Sequence, residues 1–322
     1  MSSFALDSDY IQWVRRDLNM VTDPRLEVRK FAEGDDERGI YTTSTIPVNS
    51  TLAVAPLTSL LTTDHASNVP VLSSIAHLLR EDDLLVLIMV YEQHLGVEAK
   101  WARHLTLLPK QYHSIINYTK EELELIRGSN LYIIATQWQK QVCDDYRALI
   151  NILQTHSIQA HPAYTQFTYT TYLWCLSTIW SRFITITVGD KQYRAMVPFV
   201  DFLNHSATSR VGHMVKSTVT TNTTSIAPNS SHTNTGTSQT HVDTSNSGNI
   251  NNMAVTSNVV RQTESCLHNH RFLLFSQQGF NAHEEVFLNY GVMGNMRSMM
   301  LYGFALREND QDGVEVSLTG CE

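Results

Sequence analysis

The sequence predicts an α+β protein laid out as strands, then a helical block, then strands again. Three observations predict it. Residues 28–61 are cut into short β-type pieces by Gly34, Gly39 and Pro47; residues 73–180 carry apolar side chains at helical spacing; and strand patterning returns at residues 271–275 and 285–289. At 322 residues, with 42% hydrophobic and 9% aromatic side chains, the chain can bury a sizeable core in two domains or one elaborated domain.

Taken in order, Ile40-Tyr41-Thr42-Thr43 and Thr51-Leu52-Ala53-Val54 are the first strands, β-branched and aromatic runs bounded by turn residues. In the helical block Ile75, Leu78, Leu79, Leu85, Ile88 and Met89 recur three and four apart. Thr119-Lys120-Glu121-Glu122 has the form of a capping box, in which the Thr oxygen and the Glu carboxylate satisfy free N–H groups at a helix start. Long helices are expected over residues 131–153 and 170–180, and a Met-rich helix over residues 295–302.

One composition break interrupts this order. The 56 residues 207–262 contain no aromatic side chain and are heavy in Thr, Asn and Ser, which cannot bury enough apolar surface to offset the entropy of ordering. A disordered insertion is expected there. Arg210, Lys216 and Arg261 against Asp243 give it a net charge of 3 − 1 = +2, so of the chain's −8 the remaining residues hold −10. Such an acidic body, with no basic run, argues against a nucleic-acid partner held through phosphates.

The N-terminus lacks a basic region followed by an apolar core, so no signal peptide is expected. The longest apolar stretch, residues 84–90, is flanked by Glu81, Asp82, Asp83 and Glu92 and is far short of the roughly 20 residues of a membrane helix. Cys143, Cys175, Cys266 and Cys321 form no CxxC pair, so reduced thiols and a cytoplasmic or nuclear setting are expected.

Two clusters stand out chemically. Asp201-Phe202-Leu203-Asn204-His205-Ser206 packs an acid, an amide, an imidazole and a hydroxyl into six positions directly after an apolar run. Any one of them alone reads as turn chemistry. In Glu284-Glu285-Val286-Phe287-Leu288-Asn289-Tyr290-Gly291 the period of 2 puts Val286, Leu288 and Tyr290 on one strand face, where Tyr290 alone reads as a core aromatic. Cys266, His268 and His270 alternate toward one side of a strand, but no fourth ligand is evident nearby and no zinc site is expected.

The ordered set of these pieces resembles the SET-domain protein methyltransferases, in the class typified by the plant Rubisco large-subunit lysine methyltransferase. The matching residues are Arg38-Gly39-Ile40-Tyr41, then Ile46-Pro47 and Pro56-Leu57; Ser181-Arg182 closing residues 174–182; Val197-Pro198 leading into Asp201 to Ser206; residues 284–291; and Asn295 with Leu301-Tyr302-Gly303-Phe304. The match departs from the class at Glu37, His283 and Arg297.

The resemblance implies a SET-domain β fold of short twisted strands over residues 28–306, with residues 62–180 as a large inserted helical subdomain. Residues 1–27 are then an N-terminal segment, and residues 307–322 the start of a truncated C-terminal substrate-binding domain. It implies S-adenosylmethionine as cofactor and no metal. Arg38, Gly39 and Ile40 would line the cofactor by their backbone, Ser181 and Arg182 would hold its amino-acid end, Asn204 and His205 would bracket its adenosine, and Phe304 would stack on its adenine. Tyr290 would be catalytic and touch the cofactor, with Asp201 beside both cofactor and substrate and Tyr302 in the substrate pocket. The activity so implied is methyl transfer to a lysine of a non-histone protein, since the cysteine-rich flanks of histone-directed SET enzymes are not in this sequence. Two alternatives stay open: a SET fold kept as a binding module, and transfer to histidine. Arg182, Asn204, His205 and Tyr290 together favour an enzyme, because a scaffold has little need of all four.

Overall fold

The computed structural model describes residues 8–31, 38–218 and 267–313. Helix α1 (Ser8–Arg16) buries Tyr10, Trp13 and Val14, and Leu18 and Met20 follow them into the same core. Strand β1 (Val21–Thr22) then pairs antiparallel with β4 (Ser50–Pro56), and β2 (Leu26–Lys30) pairs with β3 (Arg38–Thr42). Residues 8–27 therefore pack as part of the β body, and the expected boundary at residue 28 falls inside β2. An aromatic-rich amphipathic helix with no partner of its own has to bury its apolar face somewhere.

The helical block consists of α2 (Pro70–Ser73), α3 (Glu81–Leu95), α4 (Ala102–Leu105), α5 (Lys120–Leu125), α6 (Asn130–Thr155) and α7 (Tyr169–Arg182), joined by short 3-10 turns. Residues 84–90 of α3 are all buried, so the longest apolar run of the sequence is the central helix of this block. No helix among the described residues is long and apolar enough to cross a membrane. At the start of α5, Thr119 Oγ1 accepts from the Glu122 amide at 3.2 Å while the Thr119 amide donates to Glu122 Oε2 at 2.8 Å, which is the expected capping box. Arg80 bridges Asp83 (2.8 Å) and Asp145 (2.6 Å), and Tyr172 donates to Asp83 at 3.0 Å, so one buried polar cluster ties α3, α6 and α7 together.

After α7 the chain returns to strands: the hairpin β5 (Ile184–Val188) and β6 (Lys191–Ala195), then β7 (Asn204–His205), β8 (Val211–Ser217), β9 (His270–Ser276), β10 (Glu285–Leu288) and helix α8 (Asn295–Leu301). Two four-stranded sheets result, ordered β1-β4-β9-β8 and β2-β3-β10-β7. Strand β8 corrects one expectation. Residues 211–217, assigned from composition to the disordered insertion, pair with β9 from Val211↔Ser276 to Ser217↔His270. Val211, buried in the core, and Val215, packed against it, supply the apolar surface that the Thr/Asn/Ser content of the whole segment obscured. Residues 219–262 lie outside the described residues. So does Cys266, and among the described residues no group of three or more His, Cys, Asp or Glu side chains could hold a metal ion.

What positions the site is the one parallel pairing among the described residues, β7 with β10, in register Phe287↔Asn204 and Leu288↔His205. Beyond α8 the chain presses against the helical block at Gly303. Its φ is +80°, and a Cβ there would stand 2.6 Å from the His113 carbonyl carbon, so both conformation and space demand glycine.

Candidate active site

Asn204 is fixed first. Its Nδ2 donates to the Arg38 carbonyl (3.0 Å) and to Glu285 Oε1 (2.8 Å), spanning β7, β3 and β10. Both amide protons are used, which leaves Oδ1 as the atom able to accept from a ligand. Tyr41 donates to the other Glu285 oxygen at 3.1 Å, and the carboxylate with burial raises this phenol to about 12. Gly39 is needed for this approach, because a Cβ there would lie 2.6 Å from Glu285 Oε1 and 3.2 Å from Asn204 Nδ2. The Arg38 side chain turns toward the Leu107 carbonyl (2.6 Å) and the Phe202 ring.

Next along the parallel pair, His205 Nδ1 accepts from the Tyr290 amide at 3.2 Å, and the two rings lie 5.2 Å apart. Burial lowers the His205 imidazole, so it is neutral near pH 7. Phe304 stacks on the other side of the His205 ring at 5.8 Å and 28°, and Tyr302 lies 4.8 Å from Tyr290. A cavity of about 120 Å³ opens beside His205, bounded by Asn289, Gly291, Met293, Leu306 and Asn309. Asn295 staples its rim, donating to the Leu306 carbonyl and to Asp312 while accepting from the Leu306 amide at 2.9 Å.

Tyr290 lies two residues beyond the end of β10 and packs, partly buried, against the core. Val286 and Leu288 are buried by alternation, but the strand ends at Leu288 and the Tyr290 hydroxyl donates to the Leu203 carbonyl at 2.6 Å. Burial raises Tyr290 well above the ordinary phenol range and also raises Tyr302, so both are neutral hydroxyls.

Ser181 and Arg182 occupy the last turn of α7. The Ser181 hydroxyl is spent on the Ser177 carbonyl at 2.7 Å. Arg182 donates from Nη1 to the Asp201 carbonyl at 3.1 Å and stands 3.6 Å from Asp201 Oδ2. Burial works against its charge, but Tyr112 and Asp201 beside it outweigh that and keep the guanidinium charged. Its Nε is buried with no hydrogen-bond partner, as is Asp201 Oδ1. Asp201 departs from its expected place in the pocket: its side chain is 1% exposed and faces His104 and Arg182, because the 3-10 turn at Val200–Phe202 directs it inward.

Four residues of this neighbourhood are not singled out as site residues by the sequence: Tyr10, His104, Tyr112 and Glu285. Only Glu285 had a usable cue, a charge on the strand face opposite Val286 and Leu288. The others reach the site from helices and loops about 70 to 190 residues away in the chain.

No family model matches the sequence. The chain is 26% identical over 204 residues to "SET domain-containing protein 4" of Mus musculus, covering 56% of this chain and 45% of that protein. It is 24% identical over 136 residues to "Actin-histidine N-methyltransferase" of Drosophila melanogaster, covering 36% of this chain and 25% of that protein. It therefore spans less than half the length of these relatives. Among solved structures, the SET domain of LSMT bound to lysine and AdoHcy superposes with a TM-score of 0.66 at 16% identity, covering 92% of this chain and 56% of that one. Rubisco LSMT bound to AdoMet superposes with a TM-score of 0.63 at 16% identity, covering 93% and 56%. With the parallel β7–β10 pair at its centre and a helical block between β4 and β5, the chain has the α+β SET-domain fold of these solved structures.

Proposed function

We propose that this chain is an S-adenosylmethionine-dependent protein methyltransferase acting on a lysine of a non-histone protein. The observation that carries the reading is the convergence of Arg182, Asn204, His205 and Tyr290 around the β7–β10 pair. The residues present fit the cofactor. Arg182 Nε is a buried cationic donor with no partner, suited to a carboxylate; Asn204 Oδ1 is an acceptor; and His205, whose ring contacts Phe304, lines a cavity of about 120 Å³. When bound, S-adenosylmethionine supplies an electrophilic methyl group on a sulfonium.

The chain's own residues then have two tasks. An attacking nitrogen must arrive neutral, and a lysine amine with a pKa near 10.4 needs about 4–5 kcal/mol to lose its proton at pH 7. Neutral phenols at Tyr290 and Tyr302 give it a desolvated lining that disfavours the ammonium form. The second task is orientation. Because Tyr290 gives its proton to Leu203, its oxygen offers lone pairs, and it accepts an N–H of the substrate while leaving the nitrogen lone pair free.

Histidine is the second reading, favoured by relatives named for histidine methylation. An imidazole with an ordinary pKa near 6.5 is already mostly neutral at pH 7 and needs no such deprotonation. Incubating the full chain with methyl-labelled cofactor and a lysate, then locating the label by fragmentation, tests both. Label on lysine supports the first reading and label on histidine the second, while a chain that folds yet binds no S-adenosylhomocysteine at millimolar concentration would leave a binding module.

A further inference from the structure

Behind Arg182 runs a chain of buried polar groups in which Tyr10 and His104 have no cofactor- or substrate-facing assignment. Tyr10 comes from α1, His104 from α4 and Asp201 from the turn before β7. Tyr10 is 4% exposed, His104 0%, and the Asp201 side chain 1%. Tyr10 Oη lies 2.8 Å from His104 Nδ1, and His104 Nε2 lies 3.1 Å from Asp201 Oδ2.

Counting protons fixes the direction of this chain. The Phe199 amide can only donate, so Tyr10 Oη accepts from it at 3.0 Å. A carboxylate can only accept, so His104 Nε2 carries the proton facing Asp201. In the neutral ring Nδ1 is then the acceptor, and the phenol proton of Tyr10 goes to it. Every proton along the chain then has an acceptor, and reversing either bond would leave a buried proton without one. The far end of the chain is Asp201, whose carboxylate and carbonyl both engage Arg182.

Burying three polar side chains in a core otherwise built of Trp13, Phe199 and Phe202 has no packing advantage over apolar side chains. What the arrangement does provide is a fixed direction for one guanidinium. We propose that Tyr10 and His104 are positioning residues for methyl transfer: they lock the carboxylate of Asp201 and thereby hold Arg182 at the angle at which its free Nε meets the carboxylate end of the cofactor. The role rests on the S-adenosylmethionine reading above. It also gives α1, which the sequence alone set outside the SET domain, a part in the site.

The test uses the full chain, with S-adenosylhomocysteine titrated by calorimetry and melting recorded alongside. His104→Leu is expected to weaken binding about tenfold and Tyr10→Phe, which keeps the ring, about threefold. His104→Gln, whose amide N–H can reach Asp201 in place of Nε2, recovers most of the loss. On an Arg182→Ala background His104→Leu adds little, because both act through one contact. With labelled cofactor and a substrate, the loss falls on the KM for cofactor rather than on kcat. If His104→Leu does not fold, Tyr10→Phe decides on the same terms. Wild-type affinity in Tyr10→Phe and His104→Leu, or a His104→Leu loss that adds in full to that of Arg182→Ala, would overturn the proposal. A wild-type chain that binds no S-adenosylhomocysteine would overturn the cofactor reading and this role with it, an outcome distinct from variants that bind as tightly as a binding wild type.

Discussion

Tyr290, Tyr302, His205 and Phe304 form a half-buried aromatic wall on one side of the site, whereas Tyr10, His104, Asp201 and Arg182 form a polar wall on the other that is largely closed to water. The aromatic wall comes from residues 203–304 and is held by ring contacts and the Tyr290–Leu203 bond. Its members can be altered singly. The polar wall draws on segments spread from residue 10 to residue 201, and each member depends on the next for its hydrogen bond. Rings tolerate small shifts because dispersion is non-directional, while a buried polar chain either closes or leaves a costly orphan.

The largest expected effect separates chemistry from packing on the aromatic wall. Tyr290→Phe keeps the ring and removes the hydroxyl, so turnover should fall about 10²- to 10⁴-fold in a methyl-transfer assay. Stability should drop by only about 1 kcal/mol for the lost bond to Leu203. Undiminished turnover would reduce this wall to packing.

Gly303→Ala tests whether the aromatic wall depends on its seat against the helical block. With φ at +80° and a Cβ 2.6 Å from the His113 backbone, the change should destabilise by on the order of 3 kcal/mol, measured by denaturant midpoint. A neutral result would mean that residues 302–304 move freely against residues 113–114.

Acid should act on the two regions differently. Burial holds His65 down at about 4, and burial also lowers His205 and His213. Each binds its proton more readily when unfolded, so their contribution is complete above about pH 6.5 and is lost on acidification, for His65 as pH falls through about 4. His65, packed edge-on against Trp101 in the helical block, should account for on the order of 2 kcal/mol of this loss. His65→Gln should flatten the acid limb of a melting series and leave cofactor affinity alone, whereas His205→Gln should change affinity.

The smallest effect is at the seam of the two walls. Gly39→Ala pushes a methyl against Glu285 and should weaken the Asn204–Glu285 bond, lowering stability by about 1 kcal/mol. Its readout is the melting temperature with and without S-adenosylhomocysteine, and the shift produced by ligand should shrink.

Local patterns determined a good deal of this protein before any fold was known. The spacing of Leu85, Ile88 and Met89, the capping box at Thr119 and Glu122, and the alternation of Val286 with Leu288 each depend on near neighbours in the chain, so the sequence sufficed for them. The ordered set of motifs likewise pointed to the SET fold and to Arg182, Asn204, His205 and Tyr290. Strand β8 was hidden because its apolar residues sit in a Thr-, Asn- and Ser-rich stretch and depend on β9 for pairing. Tertiary structure alone decided that Tyr290 turns to Leu203, that Asp201 faces inward, and that Tyr10 and His104 stand behind it. The physical reason is that a hydrogen bond between residues 94 or 97 positions apart leaves no periodicity in either segment; only the packing of α1, α4 and the turn before β7 brings its donor and acceptor together.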